Sequence, residues 1–400
     1  MKKTIQDLEL KGKKVVLRVD FNVPLSKGEK IEVVNANRIK AAIPTIQYLL
    51  DNGASVILLS HLGRVKTEDD KKTKSLKPVA EKLASLINKE VKFVANTRGK
   101  EVTEAAQNLK PGEILTLENT RFEDLNNKAE SGCDEELSKF WASLGDVYVN
   151  DAFGAAHRAH ASTYGIAKFS KESALGFLIT DEIKHLDKLL EGFERPFVAI
   201  IGGAKVSDKI KVLEKLFEIA DKVLIVGGMA YTFKVALGFK IGESLFEEDK
   251  VELAKKYLEQ YKHKIVLPVD NAYTDEFADK TPLFTTPEHQ DIPDGYQGLD
   301  IGPKSIELFA KEIANAKTIF WNGPAGVSEF NNFANGTKGI AIAIANNPES
   351  YSVVGGGDSV TAVEKLGYED KFTFISTGGG ASIEFVQGNV LPGIDIIENK

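Results

Sequence analysis

Cysteine is almost absent: Cys133 is the single one in 400 residues. A lone thiol cannot close an internal disulfide, which points to a reducing compartment and removes any disulfide-stapled fold. Long apolar runs are lacking too. None approaches the roughly 18 residues of a membrane span, and the opening MKKTIQDLELKGKK has no apolar stretch of the kind a secretory leader carries. Positive charge is not in excess, with 51 Lys and Arg against 58 Asp and Glu and a formal charge of −7. Broad nucleic-acid or anionic-membrane surfaces are therefore not expected, and an anionic ligand must be held by local cations or helix ends. The composition suggests a cytoplasmic protein with neither nucleic acid nor membrane as partner.

Several short signatures are missing as well. GGGDSV (355–360) has Val360 where G-x-G-x-x-G needs its last glycine, and it is not G-x-x-x-x-G-K-[ST] either. No G-x-S-x-G elbow or hydrolytic triad is visible. HRAH (157–160) lacks a third His or Cys at ligand spacing, which argues against zinc.

What the chain does have is a recurring pattern. Short apolar, β-branched runs alternate with segments of helical period: VVLRVD (15–20), SVILLS (55–60), VKFV (91–94), ILTLE (114–118) and VYVND (147–151) in the first half. The second half has FVAIIGG (197–203), KVLIVGG (222–228), KIVLPVD (264–270), TIFWNG (318–323), YSVVGGG (351–357) and FTFISTGGG (372–380). Near-continuous apolar runs of this kind are parallel strands covered on both faces. Ile39, Ile43, Ile46, Leu49 and Leu50 form one helical stripe, and Ile210, Leu213, Leu216, Phe217 and Ala220 another. The fold class expected is α/β, with two doubly wound, Rossmann-like parallel sheets. A long amphipathic helix read across 172–196 would join them, with a hinge. The domains are then 1–171, a connecting helix at 172–191, 192–385, and an apolar segment at 386–400 that packs back on the protein.

Ligands of such sheets lie beyond the carboxyl ends of the strands, and there the two halves differ. Second-half strands end in Gly-Gly or Asn-Gly, which expose backbone N–H groups at helix starts and suit phosphate. Repetition on one sheet edge suggests a nucleotide. Asp358, at the start of a helix expected at 359–366, is either an N-cap or a Mg²⁺ ligand beside phosphates. Lys205 and Lys209 lie four apart on the expected helix after Gly202-Gly203, as a solvated pair or as charge facing phosphate. First-half strands are followed by Arg64, Arg121 and Arg158, with Arg38 early in a helix at 36–50. Singly these read as surface ion pairs; converging, they would grip a small polyanion. His61 in SHLGR reads as a hydrogen-bond donor rather than a general base. A nucleotide on one half and a compact anion on the other imply phosphoryl transfer between them.

At this point a family resemblance enters. RVDFNVPL (18–25), RIKAAIPTI (38–46), SHLGR (60–64), LENTRF (117–122), NDAFGAAHRAHAST (150–163), IGGAKVSDKI (201–210), WNGPAGVSEF (321–330), GGGDSV (355–360) and STGGGASIEF (376–385) together resemble phosphoglycerate kinase. They appear in that family's order. The resemblance implies reversible phosphoryl transfer between ATP and the carboxylate of 3-phosphoglycerate in glycolysis, with Mg²⁺, by a monomer. It further implies that Asp20, Asn22, Arg38, His61, Arg64, Arg121 and Arg158 bind phosphoglycerate. Arg38 would also orient the reacting carboxyl oxygens, Lys205 would neutralise charge on the phosphoryl group in flight, and the turn ending in Gly380 would present amides to it. Gly203, Lys209, Gly298, Asn322, Glu329, Gly356, Gly357, Asp358 and Ser359 would hold the nucleotide, with Asp358 on the metal. The 386–400 segment would return to the first domain. Val65, Thr120 and Ser328 depart from the family's usual proline and apolar residues without removing a charged group. A hinge-closing solute binder and a dehydrogenase or nucleotide-sugar transferase are the competing readings. The Gly-rich edge counts against the binder, and the missing G-x-G-x-x-G against the dehydrogenase.

Overall fold

The structure, a computed structural model, describes residues 1–28 and 30–400. It divides into two compact units, Met1–Lys184 with Val390–Lys400, and His185–Asn389. In the first unit six parallel strands pair as β3-β4-β2-β1-β5-β6: β1 (Lys14–Arg18), β2 (Ser55–Leu59), β3 (Lys92–Phe93), β4 (Ile114–Thr116), β5 (Val147–Asn150) and β6 (Ser173–Leu175). Every residue of β2 is buried, as double coverage of a parallel sheet requires. One face packs Val15, Leu17, Val56 and Leu58 against Ile39, Ile46 and Leu49 of helix Asn37–Asp51.

The second unit repeats the plan. Six parallel strands pair as β15-β14-β13-β7-β8-β9, with β7 (Phe197–Ile201), β8 (Lys222–Ile225), β9 (Ile265–Val266), β13 (Thr318–Asn322), β14 (Tyr351–Gly355) and β15 (Phe374–Ile375). Val198, Ile200, Ile319, Trp321 and Val354 pack against Phe309 and Ile313 of helix Pro303–Ala314. An antiparallel sheet stands apart from it, formed by β10 (Asn271–Thr274), β11 (Leu283–Phe284) and β12 (Gln297–Ile301).

Three local expectations are corrected. The connecting helix does not cover 172–196: Ser173–Leu175 is edge strand β6, and the helix is Phe177–Leu190. Buried Ala174 and Leu175 extend the first sheet beside β5, so backbone pairing wins over the helical pattern. KIVLPVD is not one strand, because Pro268 cannot continue the ladder and Asn271 starts the antiparallel sheet instead. That sheet is absent from the sequence reading, since β11 is two exposed residues, and β10 and β12 are short and mix polar with apolar residues.

The helix Phe177–Leu190 is tied at both ends. Phe177 N–H donates to Thr45 Oγ1 at 3.0 Å, and its ring meets Tyr48 edge-on. Further along, the His185 ring stacks on Phe374 with centroids 4.2 Å apart and its Nδ1 lies 2.6 Å from Tyr351 Oη.

The last segment is woven into the first unit. Asn150 Nδ2 donates to Gly393 O at 2.7 Å, Lys3 N to Glu398 O at 2.8 Å, and Leu391 and Ile397 are buried. Deleting residues 390–400 should destabilise this unit by about 5–9 kcal/mol, from the loss of the buried Leu391, Ile394 and Ile397 side chains. Trp141 lies in the first unit and Trp321 in the second, so urea unfolding of a Trp321→Phe background follows the first unit alone. An unshifted midpoint would contradict the prediction.

Candidate active site

In the first sheet the chain departs from β1 toward β2 on one side and later adds β5 on the other. Loops diverge at such a point and leave a crevice at the carboxyl edge. Asp20 and Asn22 follow β1, His61 and Arg64 follow β2, Arg121 follows β4, and Arg158 follows β5. Arg38, in the first turn of helix Asn37–Asp51, donates from Nη1 to Asp20 Oδ2 at 2.6 Å. Burial works to raise the Asp20 carboxyl, but Arg38, His61 and Arg18 outweigh it and hold the group below the usual carboxylate range. Asn22 Oδ1 accepts from Gly63 N–H at 2.8 Å, linking the first two strand ends.

His61 sits among cations. Arg18 Nη2 lies 3.2 Å from its Nδ1; a guanidinium can only donate, so Nδ1 accepts and the ring proton resides on Nε2. Burial, with Arg18, Arg121 and Arg38, pushes the imidazole down to about 3 despite the opposing Asp20. His61 is thus a neutral donor. Arg121 is largely buried, and among the described residues its Nε has no hydrogen-bond partner. Arg158 is exposed, its Nε donating to His157 Nε2 at 3.1 Å. Arg64 is exposed also, and its carbonyl accepts from Lys74 Nζ. Arg38 and His61 thus act on Asp20, and Arg121 acts on His61 and lies in the field of Arg158, whose side chain, like that of Arg64, is exposed.

The second unit builds its edge from backbone. A Cβ on Gly202 would lie 2.2 Å from Pro324 O, so only glycine lets the ends of β7 and β13 pass this closely. Asn322, which ends β13, accepts at Oδ1 from Lys209 Nζ at 2.9 Å. Among the described residues its buried Nδ2 has no partner, and it lies 3.1 Å from where a Gly356 side chain would begin. A buried amide donor left unpaired is uncommon and marks a place for an acceptor. Gly356, at φ +90°, is the N-cap of helix Gly357–Leu366. Asp358 is consequently inside the first turn, not the cap; its carboxylate is exposed and, among the described residues, without hydrogen bond or ion pair. Ser359 is fully buried, and its Oγ accepts from Gly323 N–H at 2.9 Å.

The lysine pair is corrected as well. The helix after Gly202-Gly203 starts only at Ile210, with Lys209 at its cap and Lys205 exposed in the preceding turn. Ser207 holds that turn open by donating from N–H and Oγ to Glu247 at 2.9 and 2.5 Å. Gly380 opens helix Gly380–Val386. Gly203, Gly298 and Glu329 share a cavity of about 370 Å³ with Asp358 at its rim; Gly298 lies in β12, against the Tyr231 hydroxyl.

Several site residues escaped the sequence reading. Tyr231, Lys234 and Asp300 line the same cavity. Lys234 donates to Asn271 Oδ1 at 2.5 Å, and burial, against Asp270, brings it down to about 7. Burial raises Asp300 to about 7, opposed by the amides of Gly336, Ile301 and Asn335. A lysine within MAYTFKVA and an arginine within VVLRVD are charges in apolar runs, and that is the signal that could have marked Lys234 and Arg18.

Two doubly wound units, one gathering guanidinium groups at its carboxyl edge and the other lined there by glycines, define a two-domain α/β phosphotransferase. The family model for phosphoglycerate kinase matches residues 5–389. A phosphoglycerate kinase of Enterococcus faecalis is 58% identical over 399 residues, covering 100% of both chains. Among solved structures, the phosphoglycerate kinase of Coxiella burnetii aligns at TM-score 0.84 with 37% identity, over 99% of this chain and 98% of that one. That of Pyrococcus horikoshii OT3 aligns at 0.85 with 33% identity, over 98% of each. The chain belongs to the phosphoglycerate kinase family. It is a kinase of glycolysis, and the family's reaction is reversible phosphoryl transfer between ATP and the carboxylate of 3-phosphoglycerate.

The depressed His61 carries a stability signature. Its imidazole titrates near 6.5 when unfolded and about 3 when folded, so across that window the unfolded chain binds more protons and stability falls as pH drops. His160, pushed down to about 3 mainly by burial and Arg18, acts in the same direction. His61→Asn should flatten the acid limb of a urea-midpoint series between pH ~7 and ~4; an unchanged slope would show that His61 is not held neutral.

Proposed function

We propose that the guanidinium crevice of the first unit is the 3-phosphoglycerate site and that the glycine edge of the second is the Mg²⁺–ATP site. The observation that carries this reading is the complementary chemistry of the two edges. One has Arg38, Arg121 and neutral His61 around Asp20; the other has the unpaired Asn322 Nδ2 beneath Gly356, next to Lys209. Bidentate guanidinium contacts suit a phosphate and a carboxylate on one small molecule. Asn22, Arg64 and Arg158 complete the acceptor site, and Arg38 orients the reacting carboxylate.

In the nucleotide site, Gly203, Gly298 and Glu329 line the cavity for the nucleoside. Gly356, Gly357 and the first-turn amides at Asp358 and Ser359 face its phosphates at a helix N-terminus. Asp358 fits a Mg²⁺ ligand, because its carboxylate is exposed and unengaged beside that turn. Among the described residues no three His, Cys, Asp or Glu side chains cluster as a metal cage, in keeping with an ion that takes its other ligands from phosphate and water. Bound there, Mg²⁺ supplies charge neutralisation to the phosphate chain. Lys205, exposed in its turn, is free to reach the transferred phosphoryl group, and the amide of Gly380 donates to it. Donor and acceptor must touch, so the reading includes a hinge motion that closes the two ligands together. Among the described residues no helix is long and apolar enough to cross a membrane; a cytoplasmic monomer is part of the proposal.

A coupled assay with 3-phosphoglycerate, ATP and Mg²⁺ tests the roles. Lys205→Ala should lose about 10²–10³ in turnover, roughly 2.7–4 kcal/mol, as for loss of a preorganised donor to developing charge; near-full activity would remove that role. Asp358→Asn should weaken nucleotide binding in calorimetry when Mg²⁺ is present and leave metal-free binding nearly unchanged. Equal affinities for the two proteins with Mg²⁺ would overturn the metal assignment.

A further inference from the structure

Behind the crevice lies a buried polar chain that touches no expected ligand. Arg18 ends β1 and is fully buried, as are Glu130 and Ser162. Arg18 Nε lies 2.7 Å from Ser162 Oγ, and Ser162 Oγ lies 2.5 Å from Glu130 Oε1. Glu130 Oε2 accepts from Ser162 N–H at 2.9 Å, and Arg18 Nη1 donates to Val19 O at 2.5 Å. The polarity of the chain follows from its arginine. Arg18 Nε can only donate, so Ser162 Oγ accepts and turns its own O–H to the Glu130 carboxylate. The guanidinium is thereby held at two points, Nε and Nη1, which leaves Nη2 aimed at His61 Nδ1. Burial raises the Glu130 carboxyl from its ordinary range, opposed by Arg18 and by the two hydrogen bonds from Ser162; it also faces Arg121, and Tyr148, packed on the same cluster, gives its hydroxyl proton to Ser162 O at 2.9 Å.

We propose that Glu130 and Ser162 are positioning residues for the acceptor site, acting through Arg18 to fix His61 as the tautomer that donates from Nε2. The inference rests on the crevice being the phosphoglycerate site. A relay of this kind works as an outer-shell partner does for a ligating histidine: it sets which nitrogen carries the proton and holds the ring in place. Without it the His61 ring is free to exchange tautomers, and part of the population would present a lone pair, not an N–H, to an anion.

The test uses the full chain labelled with ¹⁵N-histidine, with the His61 signals assigned by their loss in His61→Ala. Wild type at neutral pH should show His61 wholly in the Nε2–H form. Glu130→Gln and Ser162→Ala should convert it to a tautomer mixture and raise the KM for 3-phosphoglycerate about tenfold, with the KM for ATP unmoved. A wild-type His61 that is protonated or in the Nδ1–H form overturns the proposal before any variant is made, so it does not depend on Glu130→Gln folding. A folded Ser162→Ala that keeps both the tautomer and the KM overturns it also. His61→Ala separates the two readings: if it leaves the phosphoglycerate KM unchanged, the crevice is not the acceptor site, whereas the tautomer spectra still report on the relay.

Discussion

The central strand of each parallel sheet, β1 in one unit and β7 in the other, has neighbours whose connections leave in opposite directions. Right-handed crossovers then cover both faces but leave the carboxyl end of that strand bare. Everything chemical in this protein is arranged around those two bare ends. The sheet interiors are largely apolar, with Arg18 at the end of β1 a buried exception, and the loops can be polar because the sheets hold them rigidly.

The two ends meet the same electrostatic problem with different means. Anions must be bound by a protein whose overall charge is −7, so attraction has to be local. In the first unit it comes from side chains crowded closely enough to depress His61, with Asp20 held ionised among them. Beneath them lies the buried Glu130 carboxyl, which burial raises from its ordinary range against the pull of Arg18, and which in turn acts on Arg121. In the second unit attraction comes from amide dipoles. Glycines at Gly202 and Gly356 let backbones approach one another, and Asn322 is left with an unpaired donor. Amides suit a flexible polyphosphate that can take hydrogen bonds at many points, while guanidinium forks suit a compact acid of fixed shape.

Much of this was legible in the sequence. Strands such as SVILLS and FVAIIGG declare themselves because burial on two faces demands an unbroken apolar run, and the arginines stand out because they follow such runs directly. Short strands were not legible: β6 has only three residues and sits within a segment of helical period, β11 has two exposed residues, and β10 and β12 contain Asn271, Gln297 and Asp300 among their apolar residues. Helix starts were misjudged by a few residues at Lys205 and Asp358, since Ser207–Glu247 bonding and a positive-φ glycine cap set them, and neither is a local propensity.

Composition, period and motif order thus determined the class of fold and the charge type found at the carboxyl edge of each sheet, because these follow from the chain's own side-chain pattern. Tertiary structure alone decided which groups are neutral, which are paired and which are left wanting a partner. Arg18 reads in sequence as an odd charge in a strand and Glu130 as one more surface acid. Only folding brings them to Ser162 and His61 from positions far apart in the chain. Protonation and hydrogen-bond direction depend on distances of a few ångströms between residues 32 to 144 positions apart, and no local pattern encodes those distances.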